Sequence, residues 1–461
     1  MRAEPLAGGL SGPDALRSLL PVVLDALAAG AQQRGGPLPA GGPEGVAGQV
    51  REALGPVLPD TGTGAEESLR TLVHTLAAGA ADPAHPLCAA HLHTPPLALS
   101  AAADLAASAL NPSMDSWDQA PAASALEALV TATLATEAYP DAPAPDALVT
   151  TGGTESNQLA LLLARERHAH HGTVQTLVGA NAHHSFHRAA WLLGLPEPVV
   201  VPAPGGVMDP VALDEALTDL PGPLLVAATA GTTDAGLIDP LPEIADLCAA
   251  HGNADLHVDA AYGGPLLFSD THRRLLAGLD RARTVTIDLH KLGWQPAAAG
   301  LLAVRDGADL AALTHTADYL NADDDTEAGL PDLLGRSLRT TRRPDVLKTA
   351  VTLRALGREG LGELVDACMD LAGHLADLVE KAPGLELYAR PTLTTVLFRP
   401  YDAPDTAVAT IRRTLLTQGR AVLGRAAADG RLWLKATLLN PHATPGDLAE
   451  IITLVEGSTD R

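Results

Sequence analysis

The feature that most constrains the fold is an alternation of apolar, β-rich runs with helical segments between residues 81 and 340. The β-rich runs in this region are DALVTT, TLVGA, EPVVVPA, GPLLVAATA, LHVDAA, TVTID and GLLAV. Helical stretches such as ESNQLALLLARERHAHH and PLPEIADLCAAHG separate them. Strands that alternate with helices predict a mostly parallel, seven-stranded sheet with helices on both faces. The predicted fold class is therefore α/β.

The flanking regions have a different character. Residues 1–80 contain two helical stretches, DALRSLLPVVLDALAAGAQQ and GAEESLRTLVHTLAAGA, around a Gly/Pro-rich segment at 35–61. Residues 345–461 combine long helical stretches with a few strands such as TTVLFRP and RLWLKATLLN. Because 461 residues exceed the usual size of one domain, we expect three parts. These are an N-terminal helical segment at 1–80, a large domain at 81–344 and a small C-terminal α+β domain at 345–461.

Composition argues against several classes of protein. The chain is 46% hydrophobic and 19% charged, as globular proteins are. Its net charge of −24 repels nucleic acid and anionic lipid. It has no run of about 18 apolar residues, so no membrane span is predicted, and its first residues show no signal-peptide pattern. The three cysteines, Cys88, Cys248 and Cys368, are far apart and argue against a disulfide framework. A cytoplasmic protein is expected.

The segment LVTTGGTESNQ predicts an anion site. A strand ends at Thr151, Gly152 and Gly153 turn the chain, and Thr154 occupies the expected N-cap of a helix. Free backbone N–H groups and the positive end of the helix dipole would then face the strand's carboxyl end, where a phosphate fits. An ordinary strand–turn–helix connection remains the alternative.

Two further segments carry polar groups just after predicted strands. Asp259 ends the strand in LHVDAAYGG, so its carboxylate would be buried and would need a cation or donor; a turn or capping aspartate is the alternative. His183, His184 and His187 follow the TLVGA strand. Clustered histidines suggest a metal, but carboxylate or cysteine ligands at suitable spacing are absent nearby. Ordinary surface or core histidines are the default, and no metal is predicted.

Lys291 stands in TVTIDLHKLGW, between two apolar strands. Lysine is rarely buried without a partner, and an amine in a dry pocket becomes a competent nucleophile and imine former. Pyridoxal phosphate (PLP) needs a lysine for the imine, a carboxylate for its ring nitrogen, a phosphate cradle and a flat contact. The candidates for these roles each follow a strand, where parallel sheets bind ligands. The sequence therefore predicts PLP as the cofactor.

The order of motifs GGTES, AHHS, HVDAAYGG and DLHK resembles the fold-type I, group II PLP-dependent decarboxylases, which include aromatic-amino-acid, glutamate and 2,4-diaminobutyrate decarboxylases. The upstream segment HPLCAAHLHTPPLALS looks like the diaminobutyrate decarboxylase version of the substrate-side motif. The downstream segment DYLNADDDTEAGLPDLLGRSLRTTRRPDVLK continues the resemblance to the family. The resemblance implies a fold-type I enzyme with an amino-acid substrate, and a homodimer whose active site lies at the subunit interface.

The resemblance also implies residue roles. It implies catalytic roles for Lys291, His183, Asp259 and His290. It implies cofactor contacts for Gly153, Thr154, Ser156, His183, Asp259, Ala261, Asp288 and Lys291. Among these, Lys291 would carry the imine, Asp259 would pair with the ring nitrogen, and His183 and Ala261 would cover the two ring faces. Substrate contacts are expected from His91, His93, Trp117 and Asp118. Asp118 and the run 323–325 would meet a second amine, although acidic loops are more often merely solvated.

The expected reaction is decarboxylation of an L-amino acid through a quinonoid intermediate, in specialised metabolism. One departure from the family matters. Related enzymes protonate the α-carbon with a tyrosine on a mobile loop ahead of the segment matching TTRR, whereas residues 320–340 contain no tyrosine. Oxygen would then intercept the carbanion and give an aldehyde by oxidative deamination, or the scaffold would eliminate a sulfur substituent as a C–S lyase. Alternatively, another group such as His183 donates the proton.

Functions of other classes remain open at this point. An aminotransferase would need an arginine for the substrate carboxylate, and Arg188, Arg342 and Arg343 are the arginines near these motifs. An inactive scaffold would leave the pairing of Lys291 with Asp259 unexplained. A metal enzyme built on the His-x-Asp at 257–259 and the Asp-x-His at 288–290 is a third alternative.

Overall fold

The structure is a computed structural model that describes residues 4–315, 317 and 319–458. Its α-helices are α1 Gly12–Arg34, α2 Gly42–Leu54, α3 Ala65–Gly79, α4 Ala98–Leu110, α5 Pro121–Ala138, α6 Gly153–Arg167, α7 Ser185–Leu193, α8 Pro210–Asp219, α9 Leu241–His251, α10 Asp323–Glu327, α11 Val346–Lys381, α12 Asp405–Thr417 and α13 Pro445–Glu456. Its strands are β1 Cys88–Ala89, β2 Asp146–Thr150, β3 Gln175–Gly179, β4 Val199–Val201, β5 Leu224–Thr229, β6 Ala254–Ala260, β7 Thr284–Asp288, β8 Gly300–Val304, β9 Leu385–Leu387, β10 Thr395–Pro400, β11 Val422–Ala428 and β12 Arg431–Thr437.

The larger of two compact units comprises residues 96–370 and 391–395. It holds a seven-stranded sheet in the order β2-β8-β7-β6-β5-β3-β4. The pairs β3/β4, β3/β5, β5/β6 and β6/β7 are parallel, whereas β8 runs antiparallel to both β2 and β7. Each of the seven β-rich runs identified in the sequence forms one of these strands. The predicted α/β fold with a mostly parallel sheet is confirmed.

Burial explains why these strands read as continuous apolar runs rather than as alternating patterns. Every residue of β5, β7 and β8 is buried, which requires cover on both faces of the sheet. Helix α6 supplies part of that cover. Leu159 and Leu163 pack with Leu148 of β2 and Leu302 of β8 in one buried cluster, and Leu161 belongs to a second cluster beside β3 and β5. The sequence ESNQLALLLAR is apolar because this helix lies against the sheet.

The strand register brings three carboxyl ends to one edge of the sheet. Thr150 at the end of β2 and Asp288 at the end of β7 both pair with Gly300 of β8. Asp259, near the end of β6, pairs with Thr286 of β7. The turns that follow β2, β6 and β7 therefore begin at the same edge, which is where parallel sheets bind ligands.

The smaller unit comprises, among the described residues, 4–95, 371–390 and 396–458. It contains a sheet in the order β1-β11-β12-β10-β9, with β1 parallel to β11 and with antiparallel β11/β12 and β9/β10 pairs. Its core includes Leu375, Phe398, Ile411, Leu434 and Ile451. The domain boundaries expected near residues 80 and 344 stay a prediction.

Helix α2 differs from the sequence analysis, which assigned 35–61 as a Gly/Pro-rich segment without a helix. Gly42–Leu54 is helical, with Pro43 in the first turn. Proline is tolerated there because the first N–H groups of a helix have no helical acceptor. No helix in the described part of the chain is both long and apolar enough to cross a membrane.

Candidate active site

Lys291 lies three residues beyond the end of β7, in a turn that returns the chain to β8. Its Nζ is 3.0 Å from Oδ2 of Asp288, whose side chain is only 2% exposed, while the lysine side chain is 19% exposed. The amine is therefore neither isolated nor fully buried. The second oxygen of Asp288, Oδ1, is buried and has no hydrogen-bond partner within the described residues. An unpaired buried oxygen of this kind marks a place where a donor would be stabilised.

The chain has only four lysines, at positions 291, 348, 381 and 435. Lys348 has a side chain that is 1% exposed and is bound by Asp104 and Asp345. Lys381 ends α11 and is exposed, and Lys435 is buried in β12 of the smaller unit. Lys291 is thus the lysine that follows a strand at the carboxyl edge of the seven-stranded sheet.

The turn after β2 has the geometry of an anion site, with one correction to the sequence analysis. The N-cap of α6 is Gly152, at φ 147°, and Thr154 lies exposed within the first turn rather than at the cap. Glycine is favoured because this φ lies in the region that L side chains rarely adopt. The first helical bond runs from Ser156 N to Gly152 O. The N–H groups of Gly153 and Thr154 therefore have no helical acceptor.

The two glycines leave room that any side chain would fill. A Cβ on Gly153 would lie 3.0 Å from Cβ of Ala261 and 3.2 Å from Oδ2 of Asp288. A Cβ on Gly152 would lie 3.0 Å from Cε1 of His290. The turn, Ala261, Asp288 and His290 thus converge on one small space, which brings together five of the residues that the sequence singled out.

The polar neighbours of this turn hold it in place. Glu155 accepts hydrogen bonds from the backbone N and the Oγ1 of Thr151, both at 2.6 Å. Its other oxygen is 3.2 Å from Nε of Arg339. Ser156 is fully buried, and its hydroxyl is 2.7 Å from Oγ1 of Thr150. The contact expected between Ser156 and the cofactor stays a prediction, with this hydroxyl already engaged within the protein.

Asp259 is 6% exposed, as the sequence predicted, but neutral groups satisfy it. Oδ2 accepts from Nδ2 of Asn157 at 2.7 Å, and Oδ1 accepts from the backbone N of Ala261 at 3.1 Å. Among the described residues, no side-chain cation forms an ion pair with it. The carboxylate therefore has no cationic partner within the described residues and is available to a cation that binds in the site.

His183 is half-buried beside these groups. Burial lowers its pKa; the charge of Asp259 opposes that shift, while His184 and Lys291 reinforce it. The imidazole is therefore neutral near pH 7. Its Nδ1 accepts a 3.3 Å hydrogen bond from the backbone N of Ser185, so Nε2 carries the proton. Of the clustered histidines, His183 is thus a neutral donor that lies near Lys291 and Asp259.

The residues predicted to contact substrate lie in both units. Trp117 and Asp118 belong to an exposed turn of the larger unit, where Oδ1 of Asp118 accepts from Oγ of Ser116 at 2.6 Å. His91 and His93 are exposed residues of the smaller unit, and partial burial together with nearby Lys435 lowers the pKa of His91. Their role as substrate contacts stays a prediction.

The alternatives from other classes gain little from the structure. Arg342 is buried, and its two terminal nitrogens donate to Glu127 at 2.5 and 2.6 Å, so it is engaged elsewhere; Arg188 is exposed. Both ring nitrogens of His257 are hydrogen-bonded to Thr284 and Asn157. In the residues that the structure describes, no three side chains are grouped so as to hold a metal ion.

The arrangement fits pyridoxal phosphate. Lys291 offers an amine, Gly153 and Thr154 offer free N–H groups beside a space that a Cβ would fill, and Asp259 offers an uncompensated buried charge. Asn157 and Glu155 are polar residues at this site that the sequence analysis did not single out. Their signal was faint: two polar side chains in the first turns of a helix that otherwise faces an apolar core.

Comparison with known proteins agrees with this fit. Residues 48–401 match the family described as the pyridoxal-dependent decarboxylase conserved domain. The chain is 42% identical to L-2,4-diaminobutyrate decarboxylase of Rhizobium meliloti (strain 1021), over 88% of this chain and 84% of that protein. It is 31% identical to L-2,4-diaminobutyrate decarboxylase of Acinetobacter baumannii, over 90% of this chain and 88% of that protein.

A solved structure shows the same fold. The glutamate decarboxylase domain of diaminobutyrate-pyruvate transaminase and L-2,4-diaminobutyrate decarboxylase from Vibrio parahaemolyticus superposes with a TM-score of 0.87 at 30% identity, covering 99% of this chain and 97% of that one. The chain therefore belongs to the pyridoxal-dependent decarboxylase family, and it is a PLP-dependent carboxy-lyase that removes CO2 from an amino acid.

Proposed function

We propose that the substrate is a short L-diamino acid, 2,4-diaminobutyrate or a close analogue, and that the product is the corresponding diamine. The observation that carries this proposal is the 42% identity, over 88% of the chain, to the Rhizobium meliloti L-2,4-diaminobutyrate decarboxylase. The net charge of −24 favours a substrate with a second amine, since the field of the protein attracts cations. Asp118 and the acidic residues 323–325 are the proposed partners of that amine.

The site geometry supports a proposed role for each of these residues. Bound PLP supplies an electron sink that lets the α-carbon lose its carboxylate. Lys291 would hold the cofactor through its amine, which Asp288 orients at 3.0 Å. The free N–H groups of Gly153 and Thr154 bind the phosphate, and Asp259 pairs with the ring nitrogen.

The groups around the ring complete the site. His183 and Ala261 pack against its two faces, and the neutral His183 holds a proton at Nε2 that it can deliver to the α-carbon. His290 is kept in place by Ala299, whose carbonyl lies 3.1 Å from Nδ1. This histidine orders the turn that carries Lys291.

The substrate proposal is tested with matched amino acids. L-2-aminobutyrate has the same carbon chain as L-2,4-diaminobutyrate but lacks the terminal amine, so it is the control substrate. An ion pair in a partly desolvated site contributes about 1–3 kcal/mol, which predicts kcat/KM higher by about 5- to 150-fold for the diamino acid. Equal values for the two substrates would refute a site built for a second amine. Ornithine and lysine then report the preferred chain length.

A second candidate is decarboxylation-dependent oxidative deamination, or C–S lyase chemistry, on the same scaffold. The observation that favours it is the absence of tyrosine from residues 320–340. Tyr319 precedes this segment and is 81% exposed. The segment is anchored near its end by Arg336, which donates to Asp146 at 2.5 and 3.0 Å. Measuring amine, aldehyde, peroxide and O2 in one reaction distinguishes the candidates, because the decarboxylase proposal requires amine without O2 uptake.

The proposed working form is a cytoplasmic homodimer of specialised metabolism, with each site completed at the subunit interface. Exposed apolar side chains on α3 and α5 support an interface, Leu76 and Leu129 among them. Co-expression of Lys291→Ala with His91→Ala tests it, since shared sites would restore part of the activity that both single variants lose. A monomer by analytical ultracentrifugation, or no restoration, would contradict the shared site.

A further inference from the structure

Behind Asp259 lies a buried chain of neutral hydrogen bonds. Nδ2 of Asn157 donates to Oδ2 of Asp259 at 2.7 Å and to Oγ of Ser185 at 3.0 Å. Oδ1 of Asn157 accepts from Oγ1 of Thr286 at 2.8 Å and faces Nε2 of His257 at 3.1 Å. Asn157, Ser185, Thr286 and His257 are all fully buried. All four hydrogen-bonding positions of the Asn157 amide are thus filled.

The donor and acceptor roles in this network have a single solution. An ionised Asp259 only accepts, so the amide nitrogen of Asn157 must face it and the amide oxygen must face the other way. His257 must then donate from Nε2, and its Nδ1, 2.8 Å from Oγ1 of Thr284, accepts from that hydroxyl. Burial lowers the pKa of His257 to about 4, so the ring is neutral at physiological pH. Every polar group beyond Asp259 is therefore uncharged.

The lack of a cationic partner distinguishes Asp259 from Asp288 and Glu127, two other buried carboxylates of this unit. Asp288 is paired with Lys291, and Glu127 with Arg342. A cationic partner would compensate the charge of Asp259 and weaken its attraction for a protonated ring nitrogen. An amide instead fixes the orientation of the carboxylate and leaves its charge available.

We propose that Asn157 is a positioning residue that holds the carboxylate of Asp259 oriented toward the ring nitrogen of PLP, and that Thr286 and His257 fix the amide of Asn157 in the required orientation. The proposal rests on the role of Asp259 in the proposed function. Without Asn157, the buried carboxylate keeps a single donor, the N–H of Ala261, and is free to rotate.

The test compares PLP with 1-deazapyridoxal phosphate, in which carbon replaces the ring nitrogen. Apoenzyme is titrated with each cofactor and followed by absorbance. The dissociation constant of the deaza analogue divided by that of PLP measures how much the ring nitrogen contributes to binding. Asn157→Leu, which is close to isosteric, should lower this ratio by about 10-fold, the value of one hydrogen bond to a charged group. If Asn157 serves only folding, the substitution would weaken the binding of both cofactors equally. The ratio would then be unchanged, and this result would overturn the proposal.

A gentler pair of variants keeps the test decisive if Asn157→Leu fails to fold. Thr286→Val removes one donor to the Asn157 amide and should lower the ratio a few-fold. Thr176→Val is its control, because Thr176 is equally buried but its hydroxyl has no partner among the described residues; its ratio should match that of the unaltered protein. Equal ratios for the two variants would refute the role of the network.

The same titration of Asp259→Asn distinguishes the two levels of failure. If the ratio is unchanged in Asp259→Asn, the proposed role of Asp259 itself is wrong. If the ratio falls in Asp259→Asn but not in Asn157→Leu or Thr286→Val, only the positioning role is wrong.

Discussion

Acidification should destabilise the fold through His257, and the structure gives the size of the effect. This histidine is fully buried, and burial lowers its pKa from 6.5 to about 4. In the unfolded chain the ring is hydrated and titrates near its ordinary value. As the pH falls below about 6.5, the unfolded chain binds a proton that the folded protein excludes. Stability from this group is therefore complete above pH 6.5 and is lost as the pH falls through about 4.

The linkage relation converts these values to free energy. A pKa difference from 6.5 to about 4 corresponds to roughly 3 kcal/mol below pH 4, of which about 2 kcal/mol is already lost at about pH 5. The neighbours that face the ring are Asn157, Thr284, Phe186 and the charge of Asp259. Asp259 opposes the lowering of the pKa but does not outweigh burial.

The assay is the free energy of unfolding of the apoprotein in urea between about pH 7.5 and 5, for the unaltered chain and for His257→Gln. The variant is less stable at pH 7.5 because it loses hydrogen bonds. The difference between the two proteins should shrink by about 2 kcal/mol on going to pH 5, since only the unaltered protein carries this histidine. A difference that stays constant across this range would show that His257 is accessible to protons in the folded state, and the argument for a neutral network would fail.

Three other substitutions address the chemistry. Lys291→Ala should abolish multiple turnover while the apoprotein still folds, with a lower thermal unfolding midpoint because Asp288 loses its cation; appreciable turnover would contradict the assignment. Asp259→Asn should raise the barrier by more than roughly 3 kcal/mol, or more than 100-fold in kcat. Asp239→Asn, a buried carboxylate that also binds only neutral donors, is its control for lost stability, and equal kcat losses would make Asp259 structural. Leu330→Tyr should shift any aldehyde product toward amine, as a positioned proton donor contributes roughly 10²–10⁴-fold; an enzyme that already yields only amine without O2 uptake would point to His183 instead.

The sequence was sufficient to predict the strands of the large sheet, because the burial of each strand determines its pattern of apolar residues. A strand covered on both faces is a continuous apolar run, and β5, β7 and β8 are recognisable for that reason. Turn residues then mark the ends of the strands. The sequence analysis therefore correctly placed the two glycines after β2 and Asp259 near the end of β6. Helix α2 was not predicted because its proline and glycines are residue types typical of loops.

Predictions from local sequence were wrong or incomplete where the backbone conformation or a partner elsewhere in the chain determines the structure. Thr154 is of a residue type favoured at an N-cap, but the N-cap is Gly152, two residues earlier. Its φ of 147° is a conformation that glycine adopts readily and threonine does not. The sequence analysis placed the amine of Lys291 in a dry pocket and identified no partner for it, whereas the strand end supplies Asp288. These outcomes depend on geometry that residue types alone do not specify.

The network behind Asp259 was beyond sequence reasoning for a different reason. Asn157 and Asp259 are 102 positions apart, and Asn157 and His257 are 100 apart. Only the pairing of β6 with β7, and the packing of α6 over them, brings these groups within hydrogen-bonding distance. A polar residue early in an apolar helix indicates a buried partner but does not identify it.

Lys291 is proposed to carry the cofactor, and the small number of lysines in the chain allows a direct measurement. The holoenzyme is reduced with borohydride, digested and mapped by mass spectrometry for pyridoxyl-modified lysine. With only four lysines in the chain, Lys348, Lys381 and Lys435 serve as internal controls in the same digest. We expect stoichiometric modification of Lys291, with loss of the visible absorption band and of CO2 release. Modification of another lysine, or full activity after reduction, would contradict this expectation.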